Sequence, residues 1–397
     1  MIRRFVNLIA SPQYGRTGVY SLHRLDVAKH LFYPSTAEAE AANAAKDDSN
    51  GGGNCKAKPT RVGQLRRLSA PSMRFEPFAI DEDDYRISMG GVIVLQDPRG
   101  SEGRVLSISS DGDAVLYDVD SNSISTMPSL SEQRPGFKPT VVTVDGSAGD
   151  EKNNRLYMLN NHAYSHGFHV LDFNKHPRKW QALPLPPFLA EKEEPTCADV
   201  NSFAVVDGGR AIFMPFTGNG TYCFDTVSRD WYQAGDWELP FHGKAQYIPE
   251  LNAWLGFSRC HPNHLCASTD LSAAINAHQE PTLRHVWEDF SLPPDEEQSI
   301  VLNRRYPSIV LEKRKWWSAL PQDLVNLGAG RFCVARIFML SRTAMVGWDE
   351  RMRSYEEFAV LTGVEVIPGN DGEDGLRMVK HKSTRYVFTT DRIEWVL

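Results

Sequence analysis

The chain has 397 residues, 41% of them hydrophobic and 23% charged, with a formal net charge of −7. That length suits one large domain or two to three average ones with an ordinary apolar core. The acidic balance disfavours a nucleic-acid-binding module, and no apolar run reaches the about 18 residues of a membrane-spanning helix.

Six cysteines (Cys55, Cys197, Cys223, Cys260, Cys266 and Cys333) are few for this length. The first ten residues lack the long apolar core of a signal peptide, so free thiols in a reducing cytoplasmic or nuclear compartment are expected. Arg3, Arg4, Arg16 and Arg24, with no acid among the first 25 residues, also fit the composition of a mitochondrial presequence. The competing reading is that RRFVNLIA is a strand with flanking charge.

In chain order, Phe5 to Ile9 and Val19 to Leu25 read as two strands joined by Ser-Pro-Gln-Tyr-Gly. Residues 37–60 are Ala-rich and then Gly-rich and are expected to be a disordered insert, with Glu38 to Ala45 as a short helix at most. Arg61, Arg66 and Arg67 are too sparse for an import signal and read as a solvated linker. From Met73 onward, β-branched and aromatic runs of four to seven residues alternate with Gly, Asn and Asp turns, the pattern of antiparallel meanders. Ser202 to Trp231 is the clearest copy. SALPQDLVNL, residues 318–327, stands out as a segment that could be helical.

The copies align on an aromatic or aliphatic residue followed by Asp: Tyr117-Asp118, Leu171-Asp172 and Phe224-Asp225, at spacings of 54 and 53 residues. Trp180 and Trp231 follow the second and third, and Met127 takes that place after the first. A period near 50 with four strands per period predicts an all-β fold, a single β-propeller of kelch-like four-stranded blades. Each Asp is expected to cap the turn after it, and each Trp to pack between neighbouring sheets. The count is six blades, with seven as the alternative. Residues 1–36 would supply N-terminal strands that close the ring with the C-terminal region, and residues 61–397 the blades.

RRFVNLIA…GVYSLHRLD…HLFYPSTAEAEAA, FDTVSRDW and LPFHGKAQYIPELNAWLGF resemble a large, grass-expanded plant family of uncharacterised kelch-like proteins. The resemblance implies a β-propeller-like fold and no established activity. Many plant kelch proteins carry a helical F-box module before the propeller. The N-terminus here reads as strand, so a ubiquitin-ligation adaptor is not expected.

Two clusters could hold a metal. Cys260, His261, His264 and Cys266 lie within seven residues, too tight for the usual paired zinc clusters, so a hairpin tip is expected. His162, His166 and His169 would share one face of a helix, but the flanking strands and Gly167 predict a hairpin. Lys313-Arg314-Lys315-Trp316-Trp317 mixes cations and rings as nucleic-acid binders do, yet reads as a strand end. Gly328-Ala329-Gly330 precedes a strand and reads as a turn, and the acidic runs 81–84 and 295–297 as loops. No catalytic, cofactor-binding or metal residue is therefore assigned and no cofactor is expected. The chain reads as a non-enzymatic protein-interaction scaffold that binds another protein on a loop-built face. A propeller oxidase or hydrolase with a central metal or polar site is the alternative, and a nucleic-acid module the third class.

Overall fold

Strands dominate the computed structural model wherever the sequence alternates β-branched and aromatic runs with turn residues. It describes residues 2–12, 19–48, 65–66, 68–75, 89–95, 103–109, 112–119, 121–130, 139–144, 154–162, 165–190, 199–260, 263–288, 298–301, 311–346, 349–369, 375–388 and 391–397. The chain opens with β1 (Phe5–Pro12), β2 (Tyr20–Asp26), α1 (Val27–His30), α2 (Thr36–Asp48), β3 (Leu65–Arg66) and β4 (Met73–Phe75). Next come β5 (Met89–Leu95), β6 (Arg104–Ser109), β7 (Ala114–Asp118), β8 (Ser123–Met127), β9 (Thr140–Val144), β10 (Arg155–His162), β11 (Ser165–Asp172) and β12 (Trp180–Leu183). They are followed by α3 (Pro187–Ala190), β13 (Ser202–Val206), β14 (Ala211–Phe216), β15 (Gly220–Asp225), β16 (Asp230–Gly235), β17 (Phe241–Ile248) and β18 (Ala253–Ser258). The last elements are β19 (Leu265–Ser268), α4 (Leu271–Asn276), β20 (His285–Trp287), β21 (Gln298–Val301), β22 (Leu311–Gly328), β23 (Arg331–Val346), β24 (Asp349–Pro368), β25 (Leu376–Phe388) and β26 (Asp391–Val396). They fall into two compact units, Glu76–Glu288 and Met1–Phe75 with Asp289–Leu397.

The unit Glu76–Glu288 is a succession of four-stranded antiparallel meanders. β5 to β8 form one sheet and β9 to β12 a second. β13 to β16 and β17 to β20 form two more, fused into one eight-stranded sheet because β13 and β17 pair in parallel from Ser202↔Gly243 to Ala204↔Ala245. The core lies between consecutive meanders. Leu106, Ile108 and Leu116 pack with Leu156, Met158 and Leu171. Tyr157, Phe168 and Val170 pack with Ile212, Met214 and Phe224. Phe213 and Cys223 pack with Phe241, Trp254 and Cys266. Alternation puts every second side chain of a strand on each face, so one meander feeds two such layers.

The other unit joins both ends of the chain. Its four-stranded sheet runs β26-β1-β2-β4, with Leu8↔Val396 and Leu8↔His23 on the two sides of β1. Val6, Leu8, Ile9 and Leu22 are fully buried. The N-terminal stretch is thus built into a strand of the core. The second sheet, β21-β22-β23-β24-β25-β3, packs Val325, Leu327, Ala335, Ile337 and Leu361 against the first.

Two expectations are corrected here. Residues 318–327 lie in β22, antiparallel to β23, with a register shift between Ala319 and Asp323 around Pro321. Val325 and Leu327 are buried and Leu324 and Asn326 less so, a period of two that defeats the helix. The short helix allowed over Glu38 to Ala45 is present as α2 and is longer, so the disorder expected around it does not hold for residues 37 and 46–48. Ser35 caps the helix through Glu38 N–H at 3.2 Å, Ala39 is fully buried, and Asn43 Nδ2 donates to Lys380 O at 2.7 Å on β25. The rest of that stretch, 49–60, lies outside the described residues.

Candidate functional site

The repeated Asp does what its position requires. Asp225 Oδ1 accepts from Val227 and Ser228 N–H at 2.8 and 2.9 Å, Asp172 Oδ1 from Asn174 N–H at 3.0 Å, and Asp118 Oδ1 from Ser121 N–H at 2.9 Å. The Ser228 N–H in particular holds the Asp225 carboxyl below its usual range. The tryptophans join successive sheets. Trp180 Nε1 donates to Pro128 O beyond β8 at 2.9 Å, and Trp231 Nε1 to Pro184 O beyond β12 at 2.8 Å. Asp225→Ala removes two turn bonds and should cost about 1–2 kcal/mol. At about 2–4 °C per kcal/mol for a unit of this size, thermal denaturation should show a loss of several degrees. Asp225→Asn keeps an acceptor and should lose less.

Between β10–β12 and the turn after β15 these residues frame a cleft. Arg155 opens β10 directly opposite Asp172, which closes β11, and its Nε lies 3.4 Å from Asp172 Oδ2. Tyr157 stands two residues on and therefore faces the same side. Gln181 comes from β12, and Thr226 and Arg229 from the turn. Thr226 Oγ1 donates to Gly209 O at 2.8 Å, and Arg229 N–H to Asp225 O at 2.8 Å. Phe168 and Phe224 lie beneath, ring centroids 4.8 Å apart and perpendicular, with Trp231 5.1 Å from Phe224. Burial pushes the Tyr157 phenol up, against the pull of Arg155, so it remains a proton donor at neutral pH. The cleft presents guanidinium, phenol and amide donors, and its lining contains no His, Cys or Ser.

A second polar cluster anchors α1 and α2 on β24 and β25. Glu365 accepts from Thr36 Oγ1 at 2.7 Å, Arg331 Nε at 3.2 Å and His381 Nε2 at 3.3 Å. His381 Nδ1 accepts from Tyr33 N–H at 3.3 Å, which puts the ring proton on Nε2. Gly363 lets the Leu31 carbonyl cross β24 where any Cβ would collide with it. Burial would raise Glu365, but its three donors outweigh this and hold it below the usual carboxylate range. Burial lowers His381, outweighing the pull of Glu365. The unfolded chain binds a proton at this histidine near pH 6.5 and the folded chain does not. Stability should therefore fall as pH drops below about 6.5, down through the depressed folded pKa. His169 and His242 are lowered by burial too and add to the slope. Urea titrations across this window should show a smaller slope in His381→Gln than in the native chain.

The described members of the two Cys and His runs do not form a group that could hold a metal ion. Cys266 is buried in the core, its Sγ donating to Gly256 O at 3.4 Å, whereas Cys260 is exposed on the hairpin tip between β18 and β19. His261 lies outside the described residues. His166 and His169 share β11 three residues apart and so face opposite sides, and the His162 side chain is outside the described residues. Residues 313–317 form part of β22, but their side chains also lie outside the described set. Gly328-Ala329-Gly330 is the turn between β22 and β23, with φ of 89°, 53° and 71°. Residues 81–84 and 295–297 lie outside the described residues. The Arg155–Arg229 cleft was missed in the sequence, since its members come from four strands and a turn.

The chain is similar to the β-propeller domain of Cps50 (Swd1) from Myceliophteria thermophila, at 10% identity and a TM-score of 0.28, over 47% of this chain. It spans only 57% of that domain's length. It is also similar to the WD40 domain of SCAP from fission yeast, at 6% identity and a TM-score of 0.29, covering 80% of this chain and 74% of that one. No curated protein matches. Residues 3–386, nearly the whole sequence, match the family described as "Protein of unknown function (DUF1668)", and the chain belongs to that family.

Proposed function

We propose that the chain is a single kelch-like β-propeller, its ring completed by strands from both chain ends, and that it works as a non-enzymatic protein-interaction scaffold. The repetition carries this reading: in three successive meanders an Asp ends the third strand and caps the turn to the fourth. On this reading the meanders β5–β8, β9–β12, β13–β16 and β17–β20 and the sheet β26-β1-β2-β4 would be five of the six blades, and the six-stranded sheet β21-β22-β23-β24-β25-β3 would contain the sixth. Such a stack is rigid and presents its turns and loops outward, where proteins place binding residues. Its buried acids support the same reading. Glu365 and Asp172 are engaged by donors within the fold, a structural use rather than a catalytic one.

The test is purification of the full chain from its own cells under native conditions, followed by size exclusion, partner identification and metal analysis. A stoichiometric protein partner is expected. A chain that elutes alone with stoichiometric copper or zinc would overturn the reading in favour of a propeller enzyme.

A further inference from the structure

We propose that the cleft between Arg155 and Arg229 binds a carboxylate presented by an acidic segment of a partner protein. This rests on the scaffold reading and names the partner's chemistry.

Two guanidinium groups line the cleft against one carboxylate, Asp172. Arg155 meets Asp172 through Nε, while Arg229 has no acidic partner among the described residues. Tyr157, kept protonated, and the Gln181 amide add neutral donors beside them. Planar guanidinium and carboxylate groups match in geometry and form strong charge-assisted bonds.

Arg229 sits four residues after Asp225 with φ +65°, in the left-handed region. The same place in the β7–β8 turn, four residues after Asp118, holds Asn122 at φ +50°. Asn adopts this conformation more readily than Arg, so an Arg here is held at a local cost. The turn itself needs only the Asp225 bonds. The side chain must contribute elsewhere, and it lines the cleft.

The cleft encloses about 250 Å³ including its open mouth. Its interior has room for little more than one water, so it takes the tip of a carboxylate and leaves the rest of the ligand outside. That fits a Glu or Asp side chain on a protein surface and excludes a nucleotide or an enclosed cofactor.

The test is calorimetric titration of the full chain with a capped tetraglutamate peptide, and separately with acetate, at low and high salt. On a chain of net charge −7 the peptide has no general attraction to follow, so binding reports a local site. The peptide should bind more tightly than acetate and weaken with salt. Arg229→Asn should weaken it at least about tenfold, the value of a lost charged hydrogen bond, with a melting temperature unchanged or raised. Failure of the native chain to bind the peptide, or equal binding by Arg229→Asn, would overturn the proposal. Acetate binding as tightly as the peptide would assign the cleft to small carboxylates and overturn the partner segment. The scaffold reading is scored separately: a natural partner retained by Arg229→Asn sinks the cleft proposal alone, whereas a native preparation without any partner sinks the scaffold.

Discussion

A chain that lacks residues 1–26 should aggregate instead of folding. β1 is an inner strand, bonded to β2 on one side and β26 on the other, and Asn7 and Leu397 exchange backbone hydrogen bonds of 2.8 Å in both directions. The deletion removes Val6, Leu8, Ile9, Tyr20, Leu22 and Leu25, all buried. At roughly 1.5–3 kcal/mol each their loss rivals the ~5–15 kcal/mol net stability of a typical domain. It also leaves β26 and β4 without their sheet partners, and unpaired strands recruit other chains. Soluble yield and melting of the full chain and of residues 27–397, prepared in parallel, decide the matter. A soluble monomer with unchanged melting temperature would show that these strands are dispensable.

Phe224→Ala should be the most damaging single change in the unit Glu76–Glu288. Phe224 is fully buried where two meanders meet, 4.8 Å from Phe168, 5.1 Å from Trp231 and 6.0 Å from Tyr157, centroid to centroid. Truncation leaves a cavity between sheets that are themselves hydrogen-bonded and cannot collapse far, at a cost of about 3–5 kcal/mol. Calorimetry should place the melting of this unit about 10 °C lower or more. Tyr232→Ala, on the neighbouring strand with 47% of its surface exposed, should change stability by about 0.5 kcal/mol or less. Equal effects from the two would contradict the packing of one meander on the next.

Much of this fold was legible because it is local. Asp118, Asp172 and Asp225 announce their turns through side chains that reach only two or three residues ahead. The tryptophans announce the sheet interface because a ring on an outer strand has one large surface to cover. Pairings between distant residues leave no such trace. The parallel match of β13 with β17 fuses two meanders, although nothing in SFAVV or FHGKAQYI specifies a partner. α2, allowed by its sequence as a short helix over Glu38 to Ala45, docks through contacts that its sequence does not announce: the Ala39 side chain, the Asn43 amide, the Thr36 hydroxyl on Glu365 and an ion pair from Glu40 to Arg377. The pairing of the two chain ends was expected, but β26, the six-residue run DRIEWV that makes it with β1, was not among the strands read from the C-terminal region. The candidate cleft was hidden for the same reason: Arg155 and Arg229 are 74 positions apart, and only the stacking of two sheets brings them together.

The two ends of the chain are locked into one sheet, β26-β1-β2-β4. Amide hydrogen exchange on the intact chain, read by mass spectrometry, tests this pairing directly. Peptides covering β1 and β26 should be among the slowest to exchange, and should take up deuterium together, at the rate of global unfolding. Fast exchange of β26 or β1, independent of the other as expected of a fraying terminus, would contradict the account.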